Sequence, residues 1–380
     1  MSDAIEPFVL AIDDADLLDL RQRLARTRWP QKEPVEDWSQ GAPLRRVQAL
    51  CEYWRTAYDW RRCEALLNGL GQFKTVVDGL DIHFLHIRSP EPNALPIIMT
   101  HGWPGSVIEF HKVIGPLTNP VAHGGSAADA FDLVLPSLPG FGFSGAPNQT
   151  GWGIERIAET WSALMSRLGY TRWGAQGGDW GAAITKAIAR RKPEGCVGIH
   201  LNMPLVTLPA EELGEPSAQE SAILSDIETF GRRESGYGVL QSTRPQTLGY
   251  ALADSPAGQA AWIYEKYHAW TDNPGDPEAI FTMDEMLDNI SLYWFSNTGA
   301  CSARLYLESW TEAFISEEID LPVAVSVFPR DPIRATRRWG ERWFRDLRRW
   351  TDMSEGGHFA AFEKPMLFVE EVRAGFRTMR

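Results

Sequence analysis

With 380 residues, 44% hydrophobic and 23% charged, the chain has apolar surface enough for a large buried core, and this composition excludes intrinsic disorder. A net charge of −13 argues against a nucleic-acid partner, because phosphate backbones are bound by neutralising Lys and Arg. Four scattered cysteines without CxxC spacing point to reduced thiols rather than zinc or a disulfide framework.

The N-terminus, MSDAIEPFVLAIDDADLLDL, carries acidic residues where a signal peptide needs basic ones, and no apolar run reaches about 18 residues. A soluble cytoplasmic chain with no membrane association is expected. Residues 14–29 are predicted as an amphipathic helix with Leu17, Leu18, Leu20 and Leu24 on one side and Pro30 ending it. A second helical stretch is predicted over 43–68, where Tyr53, Trp54, Tyr58 and Trp60 are too many aromatics for a free helix. This region, 1–75, is expected to wrap around a larger core.

From residue 73 the period changes. Short apolar runs at 82–87, 96–100 and 131–136 predict buried strands. Helical patterns at 154–168 and 182–191 alternate with runs at 173–176 and 197–201, as in a doubly wound, mostly parallel α/β sheet. The stretch 205–315 is mainly helical, and strand pattern resumes with VAVSVF at 323–328, so the helical block is predicted as an insertion, a lid, between core segments 76–204 and 316–380. The basic cluster Arg330 to Arg349, interleaved by Trp339, Trp343, Phe344 and Trp350 at helical spacing, is predicted as a solvated helix face.

The segment Gly177-Gly178-Asp179-Trp180-Gly181 lies between a predicted strand and a predicted helix, the context of a nucleophile elbow. Such a turn forces strained angles on its central residue and needs small neighbours. It also aims the first free N–H groups of the helix at the central side chain. The alternative is an Asp helix cap beside glycines. A carboxylate in the place of Ser needs no base to attack a saturated carbon, and the resulting ester needs water, a base and oxyanion donors for its release. His358, in Gly356-Gly357-His358-Phe359, is the best base among eight histidines, and Asp331 lies 27 residues earlier, directly after the VAVSVF strand. The order nucleophile, acid, histidine is that of the α/β-hydrolase fold. In that fold the loop His101-Gly102-Trp103-Pro104-Gly105-Ser106 would carry the oxyanion site, with Trp103 N–H and Trp180 N–H as donors. His101 reads as a hydrogen-bonded turn histidine. Gly142-Phe143-Ser144-Gly145-Ala146 nearly matches GxSxG, but Pro147 and a loop follow it rather than a helix.

Together RTRWP, EYWRTAYDWR, HGWPGS, GGDWG, GYGVLQSTRPQTLGYALADSP and GGHFAAFEKP resemble the epoxide hydrolases of the microsomal type over essentially the whole chain. The resemblance implies an N-terminal helical meander and an enzyme that converts epoxides and water to vicinal diols without cofactor or metal. It implies that Tyr237 and Tyr306, at the positions of the family's two lid tyrosines, serve the epoxide oxygen. Phenols suit an alkoxide because they stay protonated at neutral pH yet donate far better than water. Asp331 stands where some members have Glu, and the apolar anchor of membrane-bound members is absent. The expected partners are a small epoxide and water, with a homodimer among the open assemblies. A haloalkane dehalogenase shares the Asp and His logic, with Trp180 placed to hold halide, and a non-catalytic ligand-binding relative is a third reading.

Overall fold

The computed structural model describes residues 4–380. Among the described residues nine strands form one sheet: β1 (Glu6–Pro7), β2 (Gln72–Val77), β3 (Leu80–Ile87), β4 (Leu95–Thr100), β5 (Phe131–Pro136), β6 (Trp173–Gly177), β7 (Cys196–Leu201), β8 (Ile319–Val327) and β9 (Phe344–Asp352). Their order is β1-β2-β3-β5-β4-β6-β7-β8-β9. The first three and the β3–β5 junction pair antiparallel, and the six strands from β5 to β9 run parallel. Parallel strands must be covered on both faces. The runs Ile97-Ile98-Met99, Leu133-Val134-Leu135 and Val323-Ala324-Val325 are accordingly inaccessible to solvent.

The strand β6 carries small residues where helices press closest. A Cβ added at Gly174 would lie 2.3 Å from Phe376 of the C-terminal helix Pro365–Arg377. Only Gly178 and Asp179 join β6 to the helix Trp180–Arg191, whose Ala182, Ala183 and Ala187 are buried small side chains.

Between β7 and β8 the chain runs through helices from Ala210 to Ala313. The N-terminal segment docks on this block as much as on the sheet. The predicted helix 14–29 ends at Ala25, capped by Arg26, so Pro30 is not its terminator. The predicted stretch 43–68 is two helices, Leu44–Thr56 and Trp60–Asn68, broken where Asp59 caps the second. The aromatics of that stretch reach the helix Met283–Phe295: Trp54 Nε1 donates to Ser291 Oγ at 2.9 Å, Tyr58 Oη to Asp288 at 2.8 Å and Tyr53 Oη to Asp284 at 3.0 Å. Arg62 pairs with Asp288 at 2.6 Å.

The expectation of a helix face over Arg330 to Arg349 is corrected. Only Arg337–Trp343 is helical, and the chain then turns directly into the edge strand β9, parallel to β8. The aromatics at helical spacing belong partly to each element and face one another, Trp350 lying over Gly340, where an added Cβ would meet its ring at 2.3 Å. The arginines themselves are largely exposed, as expected, and several of them also form ion pairs. Arg338 pairs with Glu220 and Arg342 with Glu212, both at 2.7 Å, Arg345 with Glu318, and Arg349 with Glu371 at 2.7 Å. Tertiary ion pairs and strand pairing outweigh the local period here.

Because Gly174 makes room for Phe376, Gly174→Ala is expected to destabilise the protein by about 1–3 kcal/mol through overpacking. Gly231→Ala, in the helix Ala218–Arg233 with open space around its Cβ position, should instead be neutral or gain up to about 1 kcal/mol. Urea unfolding of the two variants checks the pair, and equal stabilities would refute the packing argument.

Candidate active site

Asp179 caps the helix Trp180–Arg191 with φ +51° and ψ −129°, outside the regions open to most L-residues. The surrounding glycines permit it. An added Cβ at Gly181 would lie 1.9 Å from the Thr100 carbonyl oxygen, and at Gly177 2.1 Å from the Gly181 carbonyl oxygen. Backbone therefore packs on backbone between β4, β6 and the helix, and the carboxylate is held above the ends of the parallel strands.

The loop after β4 completes one side of the carboxylate. Trp103 N–H donates to Asp179 Oδ1 at 2.8 Å, and Trp180 N–H acts with it to lower the carboxyl pKa. The loop is held in turn by the helix Met283–Phe295, from which Asn289 Nδ2 donates to the Pro104 carbonyl at 2.7 Å and Tyr293 Oη to the Gly105 carbonyl at 2.8 Å. His101 serves the loop from within, its Nδ1 lying 2.9 Å from the Gly102 carbonyl and its Nε2 accepting from Leu138 N–H at 3.2 Å.

Asp331 follows β8 and His358 precedes the helices that close the chain, and the fold brings both to Asp179. His358 Nε2 lies 3.5 Å from Asp179 Oδ2, and its Nδ1 lies 3.3 Å from Asp331 Oδ1. Asp331 Oδ2 is buried with no hydrogen-bond donor among the described residues, so His358 is its main compensation. Burial raises the Asp179 pKa against the opposing pull of His358 and the two backbone N–H groups. Burial alone would lower the His358 pKa, but the Asp331 and Asp179 carboxylates overcome it and push it up to about 9.

Tyr237 and Tyr306, from two helices of the inserted block, meet over the same carboxylate. Their hydroxyls act on each other electrostatically, and the Trp180 side chain acts on that of Tyr306. Tyr237 stacks on Trp103 with centroids 5.0 Å apart and planes 10° apart, while Tyr306 meets Trp180 edge-on at 4.7 Å. Burial foremost holds both phenols well above their usual pKa, and the Asp179 charge adds to it. Both remain protonated donors.

Two cavities flank Asp179. One, about 30 Å³, is lined by Trp180, Met203, Leu205, the two tyrosines, Trp310 and Phe314. The other, about 20 Å³, lies on the His358 side among Glu109, Gln176, Asn202 and the loop glycines Gly102 and Gly105. Beside the apolar Phe110, Phe359 and Phe368 it holds polar groups: burial pushes Glu109 up to about 8, and Gln176 Oε1 is buried with no hydrogen-bond partner among the described residues.

Sequence reasoning missed Glu109, Gln176, Asn202 and Trp270. A lone acid in the apolar run Val107-Ile108-Glu109-Phe110 was a usable signal for the first. Nothing local could reveal Trp270, whose carbonyl accepts from His358 N–H at 2.8 Å and whose ring edges the imidazole at 4.9 Å. Ser144 is a buried structural residue, donating to the Ser137 carbonyl at 2.7 Å and accepting from His83 N–H at 3.0 Å.

Comparison with known proteins places the fold and the family. Residues 5–110 match the family model of the epoxide hydrolase N terminus, and residues 96–228 match that of the alpha/beta hydrolase fold. A protein of Stigmatella aurantiaca that carries an assignment as epoxide hydrolase is 58% identical over 379 residues, 99% of this chain and 86% of its own. Epoxide hydrolase 1 of Sus scrofa is 36% identical over 98% of this chain and 88% of its own. The crystal structure of juvenile hormone epoxide hydrolase from Bombyx mori superposes with a TM-score of 0.91 at 30% identity, covering 100% of this chain and 95% of that one. The structure of Aspergillus niger epoxide hydrolase gives 0.89 at 30% identity, covering 99% and 97%. The chain, with the nine-stranded sheet of its described residues, a half-buried Asp179 and buried Asp331 and His358, belongs to the epoxide hydrolases of the α/β-hydrolase fold.

Proposed function

We propose that the protein hydrolyses epoxides to vicinal diols through an ester on Asp179, hydrolysed by water that His358 activates and Asp331 orients. The observation that carries this reading is the two-sided setting of Asp179, with an apolar tyrosine-lined cavity on one face and a polar cavity beside His358 on the other. The helical block 205–315 acts as the lid that supplies the tyrosines. The four cysteines are free and buried, which suits a reducing compartment such as the cytoplasm.

In the first step an Asp179 oxygen attacks a ring carbon, the C–O bond breaks, and Tyr237 and Tyr306 donate to the oxygen that becomes an alkoxide. A halide leaves already stable and has no use for two phenols, which favours the epoxide over the haloalkane. Charge balances over the step: the alkoxide takes a proton from a tyrosine, the tyrosine regains one from solvent, and the imidazolium beside the new neutral ester gives one to solvent, leaving an ester, a neutral imidazole and a hydroxyl group.

The ester changes His358. Its pKa of about 9 depends on two carboxylates, and esterification removes the negative charge of one, Asp179. The imidazole pKa then falls, and the base is neutral when it must take a proton from water. The 20 Å³ cavity has room for about one water molecule. Gln176 Oε1 is free to accept from it, and Glu109, held protonated by burial, can donate to it. Attack on the ester carbonyl places negative charge on the oxygen facing Trp103 N–H and Trp180 N–H, and collapse releases the diol and restores the Asp179 carboxylate and the His358 imidazolium.

Single turnover of styrene oxide in ¹⁸O-water should give unlabelled diol, the label entering Asp179, and His358→Gln should accumulate protein heavier by the mass of the substrate. Label in the first-turnover diol would sink the ester. The rate of ester decay should rise with pH and level off at a midpoint below the resting value of about 9, because the neutral imidazole is the active form. Decay that slows as pH rises would reverse the assignment of His358 as base. Replacing Tyr237 or Tyr306 by Phe should slow alkylation by about ten- to a thousand-fold, as for single preorganised donors, and replacing both should slow it far more. A double variant alkylated at the wild-type rate would return the tyrosines to packing.

A further inference from the structure

The inserted helices bury one cation against the site. Lys266, on the helix Pro256–Ala269, is 3% exposed. Its ammonium pairs with Glu265 at 2.5 Å and lies 4.3 Å from the centroid of the Tyr237 ring and 5.3 Å from that of Trp270. The opposite face of Tyr237 is the one stacked on Trp103. Tyr237 is thus clamped between an ammonium and an indole, whereas Tyr306 is surrounded by rings, those of Trp103, Trp180, Tyr237 and Trp310. The two phenols differ in their electrostatic setting, although both reach the same cavity.

From this geometry we infer that Lys266 is a positioning residue that strengthens Tyr237, rather than Tyr306, as the donor to the epoxide oxygen. The inference rests on the role proposed above for the tyrosines. When Tyr237 donates to a developing alkoxide, negative charge moves onto its ring and oxygen, and a cation on the ring face is worth more in that state than in the resting one. Interactions of this kind accelerate the step, whereas those equal in both states do not. Glu265 pairs with the ammonium from its side, and Glu234, the other acid near it, is itself partly buried. The ammonium is held off water and directed at the rings. An uncharged side chain would pack as well against Tyr237 and Trp270, so packing alone does not account for a buried ammonium at this place.

The test is a double-mutant cycle on single-turnover alkylation by styrene oxide, followed by tryptophan fluorescence. Lys266→Met, with Lys266→Gln as a second neutral replacement, should slow alkylation about ten-fold while leaving the rate of ester hydrolysis within about two-fold. Lys266→Arg, which keeps the cation, should retain most of the rate. In a Tyr237→Phe background the same neutral replacements should have little further effect, whereas in a Tyr306→Phe background they should keep their full effect. Equal losses in the Tyr237 and Tyr306 backgrounds, or losses shared by both chemical steps, would overturn the inference and leave Lys266 a packing residue. Tyr237→Phe alkylating at the wild-type rate would remove the tyrosine reading itself, an outcome distinct from failure of Lys266 alone.

Discussion

A carboxylate held largely away from water governs the architecture of this site. Asp179 is held in a strained conformation at the end of a central strand, where burial works against its ionised form. Two backbone N–H groups and the imidazole of His358 are what oppose that penalty. All three can reach it only because β4, β6 and the helix after β6 approach at a distance that leaves no room for a Cβ at Gly177 or Gly181. The close approach of backbones comes first, and the electrostatics of the site follow from it.

Precision at this point is supplied from a distance. The helix Met283–Phe295 holds the Pro104 and Gly105 carbonyls with Asn289 and Tyr293, and on its other side it takes the hydrogen bonds of Tyr53, Trp54 and Tyr58 from the N-terminal segment. The N-terminal helices therefore do more than cover the core. They fix the helix that fixes the loop carrying Trp103. Trp270, at the end of the helix Pro256–Ala269, steadies His358 through its carbonyl and its ring in the same manner. Such supporting contacts hold a reacting constellation to the small tolerances that catalysis needs.

The division of Asp179's surroundings also gives an order to the proposed chemistry. Apolar walls and phenols face one carboxylate edge, while the imidazole and a polar cavity of water size face the other. Substrate and water then need not compete for one space. In the proposed cycle the charge lost on esterification changes the imidazole from acid to base without any movement of the chain, since the carboxylates around it set its proton affinity.

What the sequence determined by itself was local. Small residues around Asp179 between a strand and a helix, a Gly-Gly-His turn near the C-terminus and an acid after a late strand are all encoded within a few positions, because backbone sterics and turn chemistry act over that range. The alternation of short apolar runs with helical periods likewise marked a mostly parallel sheet with a helical insertion. Only the tertiary structure decided the rest. It broke the stretch 43–68 at Asp59, made a strand of Phe344–Asp352 where aromatic spacing suggested helix, and set Trp270, Glu109 and Lys266 around the site. Those outcomes depend on partners far along the chain: β8 for the edge strand, the helix Met283–Phe295 for the N-terminal aromatics, and the His358 loop for Trp270. A local pattern cannot carry them, since the free energy that selects them comes from pairing, burial and ion contacts that exist only once the chain has folded.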